Sequence, residues 1–188
     1  MTLRGSQKLA LIALFAAIAV VLNGVTVPAP YEPFLLYGVW EIPVLTAMLM
    51  LGFLGGVSVA SLNAIGLEAL NPGALPTGPI YNLVAQVSMF LGVLAAVRLA
   101  KRARWGTPVL VVLATAAGAV LRTGVMTAVN WAALPQPYPV GFSVDPSLVP
   151  GLLVFIGIFN FTVVLYTVPV AFSVLRAVES RYPSVRPG

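Results

Sequence analysis

The chain contains 188 residues, of which 60% are hydrophobic and only 8% are charged, and it has neither cysteine nor histidine. Soluble domains carry about 25% charged residues, so this composition excludes a soluble globular protein. At about 20 residues per transmembrane helix, the length predicts one all-α membrane domain over residues 1–188, with about six spans.

The first apolar stretch predicts a span over residues 9–25, preceded by Arg4 and Lys8. A basic segment followed by an apolar one is also typical of a secretory signal peptide. However, the best small-residue cleavage site, near Ala29, would place Pro30 directly after the cut. We therefore favour a retained first helix.

The segment from Thr26 to Gly38 is rich in proline and aromatic residues. Three prolines within six residues exclude a continuous helix there, so we expect a loop. Apolar residues then predict a second span over residues 40–52 and a third over residues 55–70. The glycines between these spans indicate a tight turn, and one long span broken at the glycines is the alternative. Asn71-Pro72-Gly73 ends the third span.

Three further spans are predicted over residues 79–99, 108–133 and 149–177. A basic cluster follows the fourth span. The loop from Leu134 to Leu148, between the fifth and sixth spans, contains four prolines and is expected to be irregular.

The basic residues support this arrangement, because Lys and Arg near span ends mark the cytoplasmic side. Nine of the ten lie before the first span, after the fourth, or around the end of the sixth. Six spans place all three groups on one face, with four of the five acids at the other. Those acids are Glu32, Glu41, Glu68 and Asp145. The pattern predicts six transmembrane helices with both termini cytoplasmic, in the cell membrane.

Polar residues inside the predicted spans indicate a binding site, since buried polar groups need partners in the bundle or in a ligand. On the fourth and fifth helices they recur at i, i+4 spacing and so share one face. Arg122 lies ~21 Å along the helix from Pro108, in the outer half of the bilayer. The candidate substrate-binding residues are Trp40, Glu41, Tyr81, Asn82, Gln86, Arg122, Met126, Asn130 and Asn160. This set suits a flat, uncharged, hydrogen-bonding small molecule in an outward-facing pocket.

Each candidate also has a structural interpretation. Asn and Gln inside a membrane often only bridge helices. Arg122 either pairs internally with Glu41 or Glu68, or extends its charge to the outer surface. Trp40 and Trp131 are equally explained as anchors at the membrane interface.

The cytoplasmic half of the first helix is rich in alanine, and Ala13 and Ala17 form a small-xxx-small pair. Small residues at this spacing let another helix approach closely. This pair is the candidate contact for a partner protein in the membrane.

Catalysis is disfavoured by what the sequence lacks. Without His or Cys there is no imidazole base, thiolate nucleophile or ordinary zinc site, and no metal or cofactor is expected. No G-x-x-x-x-G-K-[ST] segment exists, so the chain carries no P-loop for ATP. We expect a protein that binds or transports a small molecule rather than an enzyme, with no nucleic acid as partner.

Five stretches, in this order along the chain, resemble the substrate-binding S component of energy-coupling-factor (ECF) vitamin transporters. The likeness is greatest to the riboflavin-specific branch. The stretches are Val39-Trp-Glu-Ile-Pro43, Leu51-Gly-Phe-Leu-Gly-Gly56, Pro76-Thr-Gly-Pro-Ile-Tyr-Asn82, Val125-Met-Thr-Ala-Val-Asn-Trp131 and Phe159-Asn160.

The resemblance implies six helices and a vitamin bound under the first loop. It also implies partners, namely a transmembrane coupling protein and two ATPases, contacted through small residues that Ala13 and Ala17 match. ATP hydrolysis by those partners would drive release inside. The sequence departs from the riboflavin branch at two positions, which usually carry an aspartate where Glu41 stands and a lysine where Val163 stands. Arg122 has no counterpart in that pattern.

The leading hypothesis is therefore a high-affinity riboflavin-binding subunit of an ECF-type importer. An S component for pantothenate, pyridoxine, folate or a nucleobase-like precursor is the alternative, and Arg122 would favour an anion such as pantothenate. From a different class, the chain could be a stand-alone facilitator that needs no ATPase. A membrane scaffold would leave the polar stripes unexplained.

Overall fold

The computed structural model describes residues 4–70 and 75–181. Helices account for most of these residues, and each predicted span coincides with one of them. The elements are α1 (Gly5–Leu22), β1 (Thr26–Ala29), β2 (Glu32–Gly38), α2 (Glu41–Leu51), α3 (Phe53–Leu70), α4 (Gly78–Ala103), α5 (Thr107–Ala133) and α6 (Val149–Arg181). The predicted stop at Asn71-Pro72-Gly73 and the basic residue Arg186 lie outside the described residues.

Five of the described helices are long and apolar enough to cross a membrane, and α2 is the exception. With 11 residues, α2 extends only ~17 Å, about half of a hydrocarbon core of ~30 Å. The second predicted span is thus a helix of half the required length. What occupies the other half of the bilayer's thickness determines the architecture of the site.

The chain turns back sharply between α2 and α3. Gly52 has φ +84°, a left-handed conformation that favours glycine. A Cβ on Gly56 would overlap the side chain of Met48, eight residues earlier. In one straight helix these positions would be ~12 Å apart. Two separate helices therefore replace the alternative of one long broken span.

The predicted loop between α1 and α2 contains a β-hairpin, which corrects the expectation of an all-α fold. Its strands pair antiparallel, with Thr26 opposite Gly38 and Val27 opposite Tyr37. The prolines do prevent a helix here, as expected. In a two-stranded hairpin both strands are edges, so a proline that lacks N–H can be accommodated. Pairing also satisfies backbone groups that would be costly to leave open at membrane depth.

Close contacts between α4, α5 and α6 place their residues at matching depths. A Cβ on Gly118 of α5 would touch Met89 and Val93 of α4 and Val164 of α6, at 3.3 to 3.5 Å. On α6, Gly157 faces Thr123 of α5. The three helices thus pack as antiparallel neighbours with one common level near the middle of α5.

We expect Gly92→Ala to destabilise the protein by about 1–3 kcal/mol, because the added methyl group overpacks a helix contact. A Cβ at Gly92 would lie 2.6 Å from the carbonyl carbon of Ala117 and 2.7 Å from the nitrogen of Gly118. Gly124→Ala is the matched control, since nothing lies within 4 Å of that position. Thermal unfolding in detergent measures both, and equal effects of the two variants would contradict the packing argument.

Candidate functional site

A buried ion pair lies at the centre of the candidate site. Arg122 of α5 binds both carboxylate oxygens of Glu41, with Nη2 donating to Oε1 at 2.8 Å and Nη1 donating to Oε2. The Arg122 Nε also donates to Asn160 Oδ1 of α6 at 3.0 Å. All three residues are less than 5% exposed. The first residue of α2 is therefore joined to two other helices by charge-assisted hydrogen bonds.

This ion pair lies deep in the half of the bundle that contains the β-hairpin, here called the hairpin half. Arg122 lies ~17 Å from Ala133 at the end of α5, and Asn160 lies ~17 Å from Val149 at the start of α6. Glu41, predicted at the outer face, is in contact with Arg122 and so lies at this depth. The physical reason is that α2 begins inside the bundle rather than at its surface. The carboxylate there faces the positive end of its own helix and the guanidinium together.

Gln86 of α4 is placed at the same level. Met89 of α4 packs against Gly118 of α5. Because the two helices are antiparallel, Gln86, one turn before Met89, lies at the level of Arg122, one turn after Gly118. Gln86 is 0% exposed, and neither its Oε1 nor its Nε2 has a hydrogen-bond partner among the described residues. A buried amide group without a partner costs about 1–3 kcal/mol. Gln86 thus has unused hydrogen-bonding capacity at the level of the ion pair.

Two of the other predicted carboxamides, Asn130 and Asn160, form hydrogen bonds within their own helices. Asn160 Nδ2 donates to the carbonyl of Ile156 at 2.9 Å, and Asn130 Nδ2 donates to the carbonyl of Met126 at 2.8 Å. Tyr81 donates its hydroxyl proton to the carbonyl of Val140 in the loop after α5. These hydrogen bonds join each side chain to its own helix or to a neighbouring segment, so the donor groups are not left free for a ligand.

The remaining predicted residues surround the same level. Trp40 is buried and immediately precedes Glu41 at the start of α2. Met126 is buried one turn after Arg122 on α5, and Asn82 is half-buried one turn before Gln86 on α4. Trp131, by contrast, is 69% exposed, as an interface anchor would be.

The hairpin packs against α6 through aromatic rings and through hydrogen bonds of hydroxyl groups. The Tyr37 hydroxyl lies 2.5 Å from the Tyr31 hydroxyl and 2.7 Å from Thr162 Oγ1. Tyr166 donates to the carbonyl of Gly38 at 2.7 Å. The Tyr37 ring is 4.9 Å from that of Phe159. The hairpin thus packs against α6 next to the start of α2, and spacing alone did not predict these contacts.

Desolvation, the hydrogen bond with Tyr37 and the charge of Tyr37 together raise the pKa of Tyr31 to about 12. The Tyr31 hydroxyl therefore stays neutral, and can donate a hydrogen bond, at any physiological pH. In the loop before α6, the Ser147 hydroxyl and backbone N–H both donate to Asp145 and lower its pKa. That exposed carboxylate is therefore ionised at neutral pH.

The candidate partner-contact residues Ala13 and Ala17 are exposed on α1. The buried residues of that helix are Ala16 and Ala19. The face that carries the predicted pair is therefore left free by the rest of the described fold.

Within residues 4–70 and 75–181, no group of three or more His, Cys, Asp or Glu side chains could hold a metal ion. The polar centre formed by Glu41, Arg122, Asn160 and Gln86 can bind through hydrogen bonds. A nucleophile paired with a base is not present among these four side chains.

Comparison with known proteins gives a strong structural match. The chain is similar to a solved structure of the S component of a bacterial ECF transporter, with a TM-score of 0.76 and 22% sequence identity. The alignment covers 95% of this chain and 98% of that one. No protein-family model and no curated protein sequence matches the chain. At this identity, the match shows that the two proteins share a fold over nearly their whole lengths.

Removing one partner of the ion pair leaves a buried charge unpaired, so we expect Glu41→Gln and Arg122→Gln each to destabilise by about 3–5 kcal/mol. The double variant should lose clearly less than the sum of the two single losses, since it contains neither charge. Glu68→Gln, at an exposed acid, is the control and should change stability by less than about 0.5 kcal/mol. Additive losses, measured by thermal unfolding in detergent, would show that the two charges are not coupled.

Proposed function

We propose that this protein is the substrate-binding S subunit of an ECF-type importer and that it binds an uncharged vitamin, with riboflavin as the leading candidate. The proposal rests on buried polar groups that converge at one depth, in a fold shared over nearly its whole length with an S component. In this proposal, the site binds a ligand and does not catalyse a reaction.

The charge of the site supports a neutral ligand. Arg122 forms two hydrogen bonds with Glu41 and one with Asn160, so its charge is already neutralised within the protein. An anionic vitamin such as pantothenate or folate would have to compete with Glu41 for the guanidinium. Riboflavin carries no charge at neutral pH and does not disturb this pair.

The chemistry of Gln86 supports the same ligand. Its carboxamide presents one acceptor and one donor side by side, and the imide edge of a flavin presents the complementary donor and acceptor. Pairing with such an edge would relieve the cost of burying Gln86 without a partner. Because Gln86 is fully enclosed, ligand entry requires the packing to open. The hairpin, which contacts α6 through aromatic rings and hydroxyl groups, is the element we propose to move.

The remainder of the proposal concerns topology and energy. Six crossings with both termini cytoplasmic would place the hairpin outside and the basic helix ends inside. Since the sequence contains no P-loop, active uptake needs ATPase partners. The exposed face of α1 with Ala13 and Ala17 would contact the coupling protein, and the site residues Trp40, Tyr81, Asn82, Met126 and Asn130 would line the approach to the polar centre.

The first test is to identify and titrate the ligand. We expect purified protein to retain a flavin detectable by mass spectrometry and to quench riboflavin fluorescence on binding. Gln86→Leu should weaken binding about tenfold or more by removing two hydrogen bonds. Gln7→Leu makes the same chemical change at the opposite end of the molecule, at an exposed residue, and should leave affinity unchanged.

The outcomes separate the alternatives. Retention of a different vitamin would overturn riboflavin but keep the S-subunit class, whereas absence of any vitamin would contradict that class. Uptake into liposomes that contain only this protein would favour a stand-alone facilitator.

A second test concerns the coupling protein. The double variant Ala13→Leu, Ala17→Leu should lose co-purification with that partner, because bulky side chains prevent close helix approach. Ligand affinity should not change, since α1 is remote from Gln86 in sequence and these alanines are exposed. Ala128→Leu, at an exposed alanine of α5, is the control. Retained co-purification of the double variant would exclude this face of α1 as the contact.

A further inference from the structure

We propose that the basic end of α4 binds the headgroup of an anionic phospholipid. An open groove of about 410 Å³ lies there, lined by Ala95, Arg98, Leu99 and Arg102. These residues follow one another at helical i, i+3, i+4 and i+7 spacing, so they form a single stripe along α4. The groove is remote from the ion pair and independent of the proposed vitamin site.

The depth of the groove matches the headgroup level of a bilayer. Measured along α4 from Gly78, Arg98 lies ~30 Å away and Arg102 ~36 Å away. The hydrocarbon core is ~30 Å thick. If α4 crosses the bilayer from its first turn, both guanidinium groups emerge where lipid phosphates lie, and the preceding residue Ala95 is still at acyl-chain depth.

Neither arginine has an acidic partner within residues 4–70 and 75–181. They stand one turn apart, a spacing at which like charges repel by about 0.2–0.5 kcal/mol. Among the described residues, the salt bridge that forms is Glu41–Arg122, which lies inside the bundle and away from this end of α4. A phosphate between the two guanidinium groups would convert this repulsion into charge-assisted, bidentate hydrogen bonds.

Apolar surface next to the arginines favours a lipid over a free anion. Leu99, between them on the stripe, is 53% exposed. Trp105 is 44% exposed and directly follows Arg104, which has a left-handed backbone conformation. The backbone N–H of Trp105 donates to the carbonyl of Ala100 at 3.1 Å. This cap holds the indole beside the end of α4. A molecule with both a phosphate and an acyl chain satisfies the whole surface, whereas inorganic phosphate satisfies only the arginines.

Native mass spectrometry of the full-length protein with phosphatidylglycerol, and with phosphatidylcholine of the same acyl chains, tests the proposal. We expect one phosphatidylglycerol to bind in preference. The double variant Arg98→Gln, Arg102→Gln should bind it at least about tenfold more weakly, because two charge-assisted contacts are lost. The matched control is Lys101→Gln, Arg104→Gln, which removes the same charge from the same helix end but does not line the groove. This control should retain affinity within about twofold.

Three outcomes would overturn the inference. Equal losses in the two double variants would mean diffuse attraction to basic charge rather than a site. Displacement of the lipid by millimolar inorganic phosphate would identify a free-anion site. Unchanged lipid binding in the Arg98, Arg102 variant, with loss of association with the coupling protein, would assign the groove to a protein partner. Circular dichroism and size-exclusion chromatography verify that each variant is folded.

Discussion

The pairing of Glu41 with Arg122 is the constraint on which the hairpin half of the bundle depends. Both the carboxylate and the guanidinium are nearly inaccessible to solvent, so they must stay together. Either group alone would be an unpaired buried charge, which costs several kcal/mol of stability. Glu41 is the first residue of α2, so the pair fixes where that helix begins, at the depth of Asn160 rather than at the membrane surface. A pair of this kind contributes little net stability over an apolar core. Its effect is instead to define one arrangement of α2, α5 and α6.

The short α2 creates the need for the hairpin. A helix of 11 residues that begins inside the bundle leaves the space before its first residue unfilled by helix. Irregular backbone at that depth must have its hydrogen bonds satisfied, and the pairing of β1 with β2 does this. The hairpin then contacts α6 through Tyr37 and the carbonyl of Gly38. The rings of Tyr31 and Tyr37 also pack against Phe155 and Phe159 of α6, so apolar contacts and hydrogen bonds together hold the hairpin on that helix.

The parts of the fold that sequence predicts are those encoded locally. Apolar runs bounded by proline and glycine locate six helices, and the left-handed Gly52 explains why α2 and α3 are separate. The depth of Glu41 and the packing of the hairpin on α6 could not be predicted in this way. They depend on contacts across 81 residues to Arg122 and across 125 residues to Thr162. For the site, sequence identifies the polar residues but not their state. Arg122 and Gln86 look alike as polar groups in a span. Arg122 is paired with Glu41 and Asn160, whereas Gln86 has no hydrogen-bond partner among the residues that the structure describes.

The ion pair also bears on the two departures from the riboflavin pattern. The resemblance implies a lysine where Val163 stands, and that position is buried and apolar here. Arg122 reaches the same neighbourhood from α5, since it binds Asn160, one turn before Val163 on α6. A longer acid, Glu41 in place of aspartate, meets this cation. On this interpretation the site still has one acid and one cation, but the cation is supplied by a different helix. Because Glu41 and Arg122 together carry no net charge, this arrangement leaves no unpaired cation in the pair for an anionic ligand.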